Sequence, residues 1–250
     1  MPELVVFDFD GTLVDSAGRI VAAMQAAFAE HGLAIPAPHA VRAVIGLELG
    51  AACAALLPPG DRGRAPACAT AYRRHYALLG AVATPLFAAA RETLAALAGQ
   101  GILLAIATGK SRAGLDRALA DAAIAAYFVT TRSADEGPSK PHPGMLYDIL
   151  TELDVRPSRA VMVGDTTFDL DMARAAGVPA IAAAYGAHPR ARLLDCSPVA
   201  VIDALHELPR TLAALATAPL AEDQQADEKR SEEGRGQGAD ATAAAAQADR

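Results

Sequence analysis

The run LVVFDFDGTLVDS, Leu4 to Ser16, ends an apolar segment on two carboxylates, Asp8 and Asp10, one residue apart. Burial disfavours the charged form of each, and repulsion between them adds to that cost. On a strand, alternation of side chains puts both on one face, so the pair requires a cation or a shared proton. A divalent metal is the natural partner. Magnesium suits it best, because it takes oxygen ligands, keeps several waters and is usually shared with substrate phosphates. A calcium EF-hand does not account for the pattern. A strand precedes it instead of a helix, Gly11 stands fourth rather than sixth, and Arg19 occupies the twelfth place, where glutamate is required.

Residues with the same kind of chemistry recur downstream: Thr108 in AIATGKS, Lys140 in PSKPHPGM, and Asp165 and Asp169 in VMVGDTTFDLDMARAAGVP. Asp165 and Asp169 also suit the start of a helix, where carboxylates are favoured anyway. Their place after a buried strand, together with Asp8, Asp10 and Lys140, favours a metal site. Lys110 follows Thr108 in TGKS and could touch substrate, but the upstream glycine of a P-loop is missing. His142 reads as a surface residue, Asp171 as exposed, and Tyr185 and Gly186 as residues that shape a pocket without reacting.

The elements that must hold these residues are short apolar runs: LVVFDF (4–9), ILLAIAT (102–108), AYFVT (126–130), AVMVGD (160–165) and VPAIAAAY (178–185). Continuous runs of this length suit strands buried on both faces of a parallel sheet. Between them, Leu86, Ala90, Leu94 and Leu97 predict a helix through 84–99, and Met145, Leu146, Ile149, Leu150 and Leu153 another after Pro143. The alternation predicts an α/β fold, a doubly wound parallel sheet of the Rossmann-like kind, with sites at the carboxyl ends of its strands. One interval breaks it. From 16 to 83 there is no convincing strand, while Ile20, Met24 and Phe28 have helical spacing, and further helices fit Val41 to Leu57 and Ala65 to Leu79. The predicted division is a core of 1–15 and 84–221 with a helical insertion at 16–83. From 222 to 250 apolar periodicity is lost, and a disordered tail is expected.

Composition narrows the partners. A formal charge of −7 without a long basic run argues against nucleic-acid binding. Arg73, Arg74, His75 and Tyr76 read as a solvated helix face. Cys53, Cys68 and Cys196 are scattered, without metal-type spacing, and read as reduced thiols. With no membrane-spanning stretch and no signal sequence, a soluble cytoplasmic protein is expected.

The four segments, in this order, resemble the signatures of the haloacid dehalogenase superfamily in its phosphatase branch. The likeness runs from Leu4 to about Pro209, and the helical insertion resembles the family's small cap domain. The resemblance implies a magnesium-dependent hydrolase of a small phosphorylated metabolite. Attack on a phosphate ester needs a nucleophile, neutralisation of the spreading charge and a proton for the leaving alkoxide. Asp8 is then the nucleophile, forming an aspartyl-phosphate, and Asp10 gives and later takes the proton. The Thr108 hydroxyl and the backbone amides of Thr108 and Gly109 hold phosphate oxygens, and Lys140 supplies fixed positive charge. Asp8, Asp10 and Asp165 are the expected metal ligands, with Asp169 acting through a metal-bound water or by orienting Lys140. Dehalogenation is disfavoured by Asp10. A sugar phosphomutase of the same family shares both aspartates but tends to carry a cap arginine, where VIGLELGAAC offers Glu48. A non-enzymatic phospho-acceptor domain would carry its acceptor in mid-chain. VRAVIGLELG and VPAIAAAYGAHP are similar to phosphoglycolate phosphatases, which points to 2-phosphoglycolate or a similar metabolite. LFAAARETL departs from the family's Pro-Gly entry to that helix.

Overall fold

A computed structural model of the chain describes residues 1–81 and 84–217; the expected tail at 222–250 lies outside the described residues. The first strand, β1 (Leu4–Phe7), is fully buried and leads through a tight loop into four helices, α1 (Ala17–Glu30), α2 (Pro38–Arg42), α3 (Leu49–Leu56) and α4 (Ala65–Leu78). The chain then alternates: α5 (Ala90–Gly99), β2 (Leu103–Ala107), α6 (Arg112–Ala122), β3 (Thr130–Arg132), α7 (Gly144–Leu153), β4 (Ala160–Gly164) and α8 (Thr167–Ala175). It closes with β5 (Ala180–Ala183), α9 (Arg190–Leu194), β6 (Ala200–Ile202) and α10 (Leu208–Thr217).

The six strands form one sheet in the order β3-β2-β1-β4-β5-β6, and every pairing is parallel. This is the doubly wound α/β order, with its reversal between β1 and β4, where ligand crevices form. Phe7 lies beside Val163 in that pairing. Both faces are covered, as the unbroken apolar runs require. Leu4, Val6, Ala105 and Met162 pack with Leu146, Ile149 and Leu170 from α7 and α8, while Val5, Phe7, Ile106 and Val163 on the other face are equally inaccessible to solvent.

Residues 17–81 contain helices and no strand among the described residues. Ile20, Met24 and Phe28, one turn apart along α1, bury themselves against Val41, Ile45, Cys53 and Cys68 in a second apolar cluster. Two local expectations need correction, and one strand was not expected. The helix placed over 84–99 begins at Ala90, because Pro85 and Phe87 hydrogen-bond with Asp15 and Leu13 of the loop after β1, and Leu86 bridges Val14. The run 126–130 is largely a turn of 3-10 helix at Ala125–Tyr127, and the strand follows it at Thr130–Arg132. The last strand, β6, has only the three residues AVI and leaves no readable pattern. No described helix is long and apolar enough to cross a membrane.

Candidate active site

The carboxylates gather where β1 and β4 end side by side. Asp8 follows β1 and its amide donates to the Val163 carbonyl at 2.9 Å; Asp165 follows β4. The Lys140 ammonium, reaching in from the segment before α7, donates to Asp8 Oδ1 and to Asp169 Oδ1, each at 2.6 Å, and all three side chains are buried. Asp169 stands in the first turn of α8. Its Oδ2 accepts from the Thr166 amide at 3.0 Å and the Thr166 hydroxyl at 2.7 Å, so it closes a capping box while its other oxygen faces Lys140. Asp165 is fixed by the Thr12 hydroxyl at 2.8 Å and the Ala187 amide at 2.7 Å. Room for it is made by Gly11, whose φ of +90° belongs to glycine and whose missing Cβ would lie against Asp165 Oδ2. Gly186 leaves space on the other side in the same way.

One lysine does not balance three buried carboxylates. Burial, offset in part by Lys140 and reinforced by Asp169 and Asp10, pushes the Asp8 carboxyl up to about 7. Burial and then Asp8 and Asp169 drive Asp165 well above the carboxylate range. Burial works against the charge of Lys140, but Asp169 and Asp8 outweigh it and hold its pKa above the ordinary value. Asp8 Oδ2 is buried without a hydrogen-bond partner. Oxygens of Asp8, Asp165 and Asp169 lie within 4.8 Å of one another. An all-oxygen donor set with excess negative charge and an unused buried oxygen fits a hard divalent cation such as magnesium.

Asp10, expected beside Asp8 and Asp165 as a metal ligand, is not in that group. Its oxygens accept from Lys110 Nζ at 2.8 and 2.5 Å, and Oδ1 also accepts from the Ser16 hydroxyl at 2.6 Å. Asp169, expected behind the ligands, lies close enough to Asp8 and Asp165 to belong to that group, although its oxygens are engaged by Lys140 and Thr166. A second correction concerns Thr108. Its amide donates to the Arg132 carbonyl at 3.0 Å, continuing the β2–β3 ladder by one residue, and is spent before any phosphate arrives. The Thr108 hydroxyl accepts from the Lys110 amide at 3.3 Å. Gly109 faces the helical segment so closely that a Cβ would overlap the Gly46 carbonyl oxygen.

Asp8, Asp10, Thr108, Gly109 and Lys110 line one cavity of about 970 Å³ whose other walls come mainly from α1, α3 and the loop before it, α4, α6 and residues 84–86. Lys110 is thus far more closely engaged than its place after a phosphate loop suggests. Tyr185 donates to the Thr12 carbonyl at 2.9 Å and meets Phe87 edge-on, bracing the loop that carries Thr12. His142 is exposed, with Nδ1 accepting from the Gly144 amide. Asp171 is half-exposed and pairs with Arg174 at 2.6 Å. Arg19, Tyr72 and Tyr76 also line the cavity; their only sequence signal was position, Arg19 one turn after Ser16 and the tyrosines one turn apart on α4.

The sequence pattern of the haloacid dehalogenase-like hydrolases matches residues 5–183, the span that carries Asp8, Asp10, Thr108, Lys140, Asp165 and Asp169. The chain belongs to that family. Among its relatives, a probable phosphatase, IndB, of Dickeya dadantii is 36% identical over 215 residues, 83% of this chain and 92% of that one. A phosphoglycolate phosphatase of Pseudomonas savastanoi is 32% identical, covering 83% of this chain and 79% of its own length. A protein named tyrosine-protein kinase PtkA in Mycobacterium tuberculosis is 31% identical, covering 80% and 68%. Within the haloacid dehalogenase-like hydrolases this chain resembles the phosphoglycolate phosphatases.

Proposed function

We propose that the protein is a magnesium-dependent phosphatase acting on a small phosphoric monoester, 2-phosphoglycolate or a similar metabolite, through an aspartyl-phosphate. The observation that carries this reading is Asp8: one oxygen is clamped by Lys140, and the other is buried without a partner in the wall of a cavity. With Oδ1 held by Lys140 and Oδ2 left for a cation, the Asp8 carboxylate is fixed in place for attack on phosphorus. In the first step the Asp8 O–P bond forms as the ester P–O bond breaks, and Asp10 gives its proton to the departing alkoxide. In the second, Asp10 takes a proton from water as that water displaces phosphate from Asp8. The Lys110 ammonium and the Ser16 hydroxyl hold the Asp10 carboxyl in position for both transfers. Lys140, the Thr108 hydroxyl and the Gly109 amide would hold the phosphoryl oxygens, a reading supported by Thr108 and Gly109 lining the same cavity as Asp8 and by Lys140 bonding to Asp8.

Asp8 and Asp165, with Asp169 beside them, would hold the metal. When bound, magnesium neutralises charge on the carboxylates and on the transferring phosphoryl group. The helices of residues 16–83 act as a cap that closes the alcohol side of the cavity. The test is a panel of phosphate monoesters assayed with purified protein and magnesium, alongside Asp8→Asn. Turnover of the panel with at least a ~10³-fold loss in the variant is expected, a typical scale for removing a nucleophile. Near-normal turnover by Asp8→Asn would refute the assignment.

A further inference from the structure

The cavity contains a cation that the chemistry above does not use. Arg19, in the first turn of α1, lies over the Tyr76 ring at 4.3 Å and donates from Nε and Nη2 to the Tyr76 carbonyl at 3.0 and 2.6 Å. That carbonyl belongs to the last turn of α4, where helix carbonyls lack intrahelical partners. The contact accounts for one edge of the guanidinium. Among the described residues the other edge, with Nη1, makes no hydrogen bond, and no carboxylate pairs with Arg19. The neighbouring cation differs: Lys110 packs its ammonium 5.4 Å from the same ring, but its charge is matched by Asp10. Arg19 is only half-exposed, and it lines the same cavity as Asp8 and Thr108. A partly buried guanidinium held rigid by a ring and a carbonyl, with an unused fork of donors, is preorganised to receive an oxyanion.

We infer that Arg19 forms an anion subsite for the alcohol portion of the substrate, so that the preferred esters carry a second negative group. The inference rests on the phosphatase reading for its orientation. The phosphoryl end is fixed by Asp8 and Thr108 at the strand ends, so the alcohol extends toward the helical wall, where Arg19 and Tyr76 stand. The group received is a carboxylate or a second phosphate; both present paired oxygens to the fork. Tyr76 is a positioning residue in this arrangement, because its ring and carbonyl hold the guanidinium without touching substrate themselves.

The test is calorimetric binding to the full chain with magnesium, using phosphonates that cannot be hydrolysed. 3-Phosphonopropionate replaces the bridging oxygen of 2-phosphoglycolate by methylene; its carboxamide is the counterpart with a neutral second group, and ethane-1,2-bisphosphonate carries a second phosphonate in place of the carboxylate. The wild-type protein should bind at least one of the two doubly anionic compounds about ten-fold or more tighter than the carboxamide, the scale of a charge-assisted contact. Which of them is tighter identifies the group. In Arg19→Gln this ratio should fall toward one, and Arg19→Lys should keep part of it. Equal binding of all three compounds by the wild-type protein would overturn the subsite, even if Arg19→Gln fails to fold. A ratio unchanged in a folded Arg19→Gln would overturn it as well. Preferential binding without turnover of any ester would leave the subsite standing and defeat the phosphatase reading, whereas turnover without charge preference would do the reverse.

Discussion

At the level of single residues, each acid is held differently by its surroundings. Asp8 has a free buried oxygen, Asp10 has both oxygens engaged by hydroxyl and ammonium, and Asp169 divides its two between a helix cap and Lys140. If Asp10 is the proton donor, Asp10→Asn should slow esters of poorly leaving alcohols far more than an activated aryl phosphate, whose leaving group needs no proton. A leaving-group series that drops by one common factor would remove Asp10 from that role. Lys140 is a different kind of test. With its ammonium between two buried carboxylates, Lys140→Met leaves like charges facing each other in a dry site, and a loss of about 3–5 kcal/mol is expected from breaking a buried pair. Urea unfolding in chelator would show it, and an unchanged midpoint would mean that the carboxylates are not confronted as drawn. Asp8, Asp165 and Asp169 were legible in the sequence because a charge set at the end of a buried strand, or close after it, costs desolvation that packing alone does not offset, whereas Lys140 was legible through the resemblance of the segment around Pro141 to the family signature. Lys110 and Arg19 were not, since their roles depend on which neighbours the fold supplies: a carboxylate a hundred residues away for one, and the carbonyl end of α4 for the other.

At the level of elements, the strands that could be read were those buried on both faces, β1, β2, β4 and β5, where an unbroken apolar run is a physical necessity. The edge strands β3 and β6 are three residues each and half-exposed in part, so little in their composition separates them from loops. The start of α5 was misplaced for another reason: helical spacing in Leu86 and Ala90 was overridden by hydrogen bonds of Pro85 and Phe87 to the loop after β1. Edge elements also depend on side-chain ties. Arg112, the first residue of α6, donates to Glu136 and to the Thr131 hydroxyl and carbonyl, and Glu136 in turn accepts from the Ser133 amide and hydroxyl. Partial burial raises the Glu136 pKa, but the Arg112 and Ser133 bonds prevail and lower it from 4.5 to about 2. A depressed carboxyl stabilises the fold above its unfolded pKa and loses that contribution as pH falls through its folded one. Wild-type stability should therefore drop between pH 4.5 and 2 more steeply than that of Glu136→Gln, measured as thermal midpoints at matched ionic strength. Parallel curves for the two proteins would show that the clasp contributes nothing to holding α6 on β3.

At the level of the whole molecule, the candidate metal group joins segments far apart in the chain: the ends of β1 and β4, the first turn of α8 and, through Lys140, the approach to α7. A cation bound there holds the two sides of the sheet's reversal point together and is linked to the folding of all of them. Magnesium should accordingly raise the unfolding free energy with its concentration, by about 2.7 kcal/mol at a hundred times its dissociation constant. Asp165→Asn separates this linkage from ordinary packing. The amide can still accept from the Ala187 amide, and the Thr12 hydroxyl can turn to accept from its NH₂, so the local hydrogen bonds survive. Meanwhile one of three crowded negative charges is removed. The variant should be at least as stable as the wild-type protein in chelator, yet gain little from magnesium and require far more of it for turnover. An Asp165→Asn protein that was stabilised by magnesium as strongly as the wild type would move the metal away from the β1–β4 junction and, with it, the centre of the reaction.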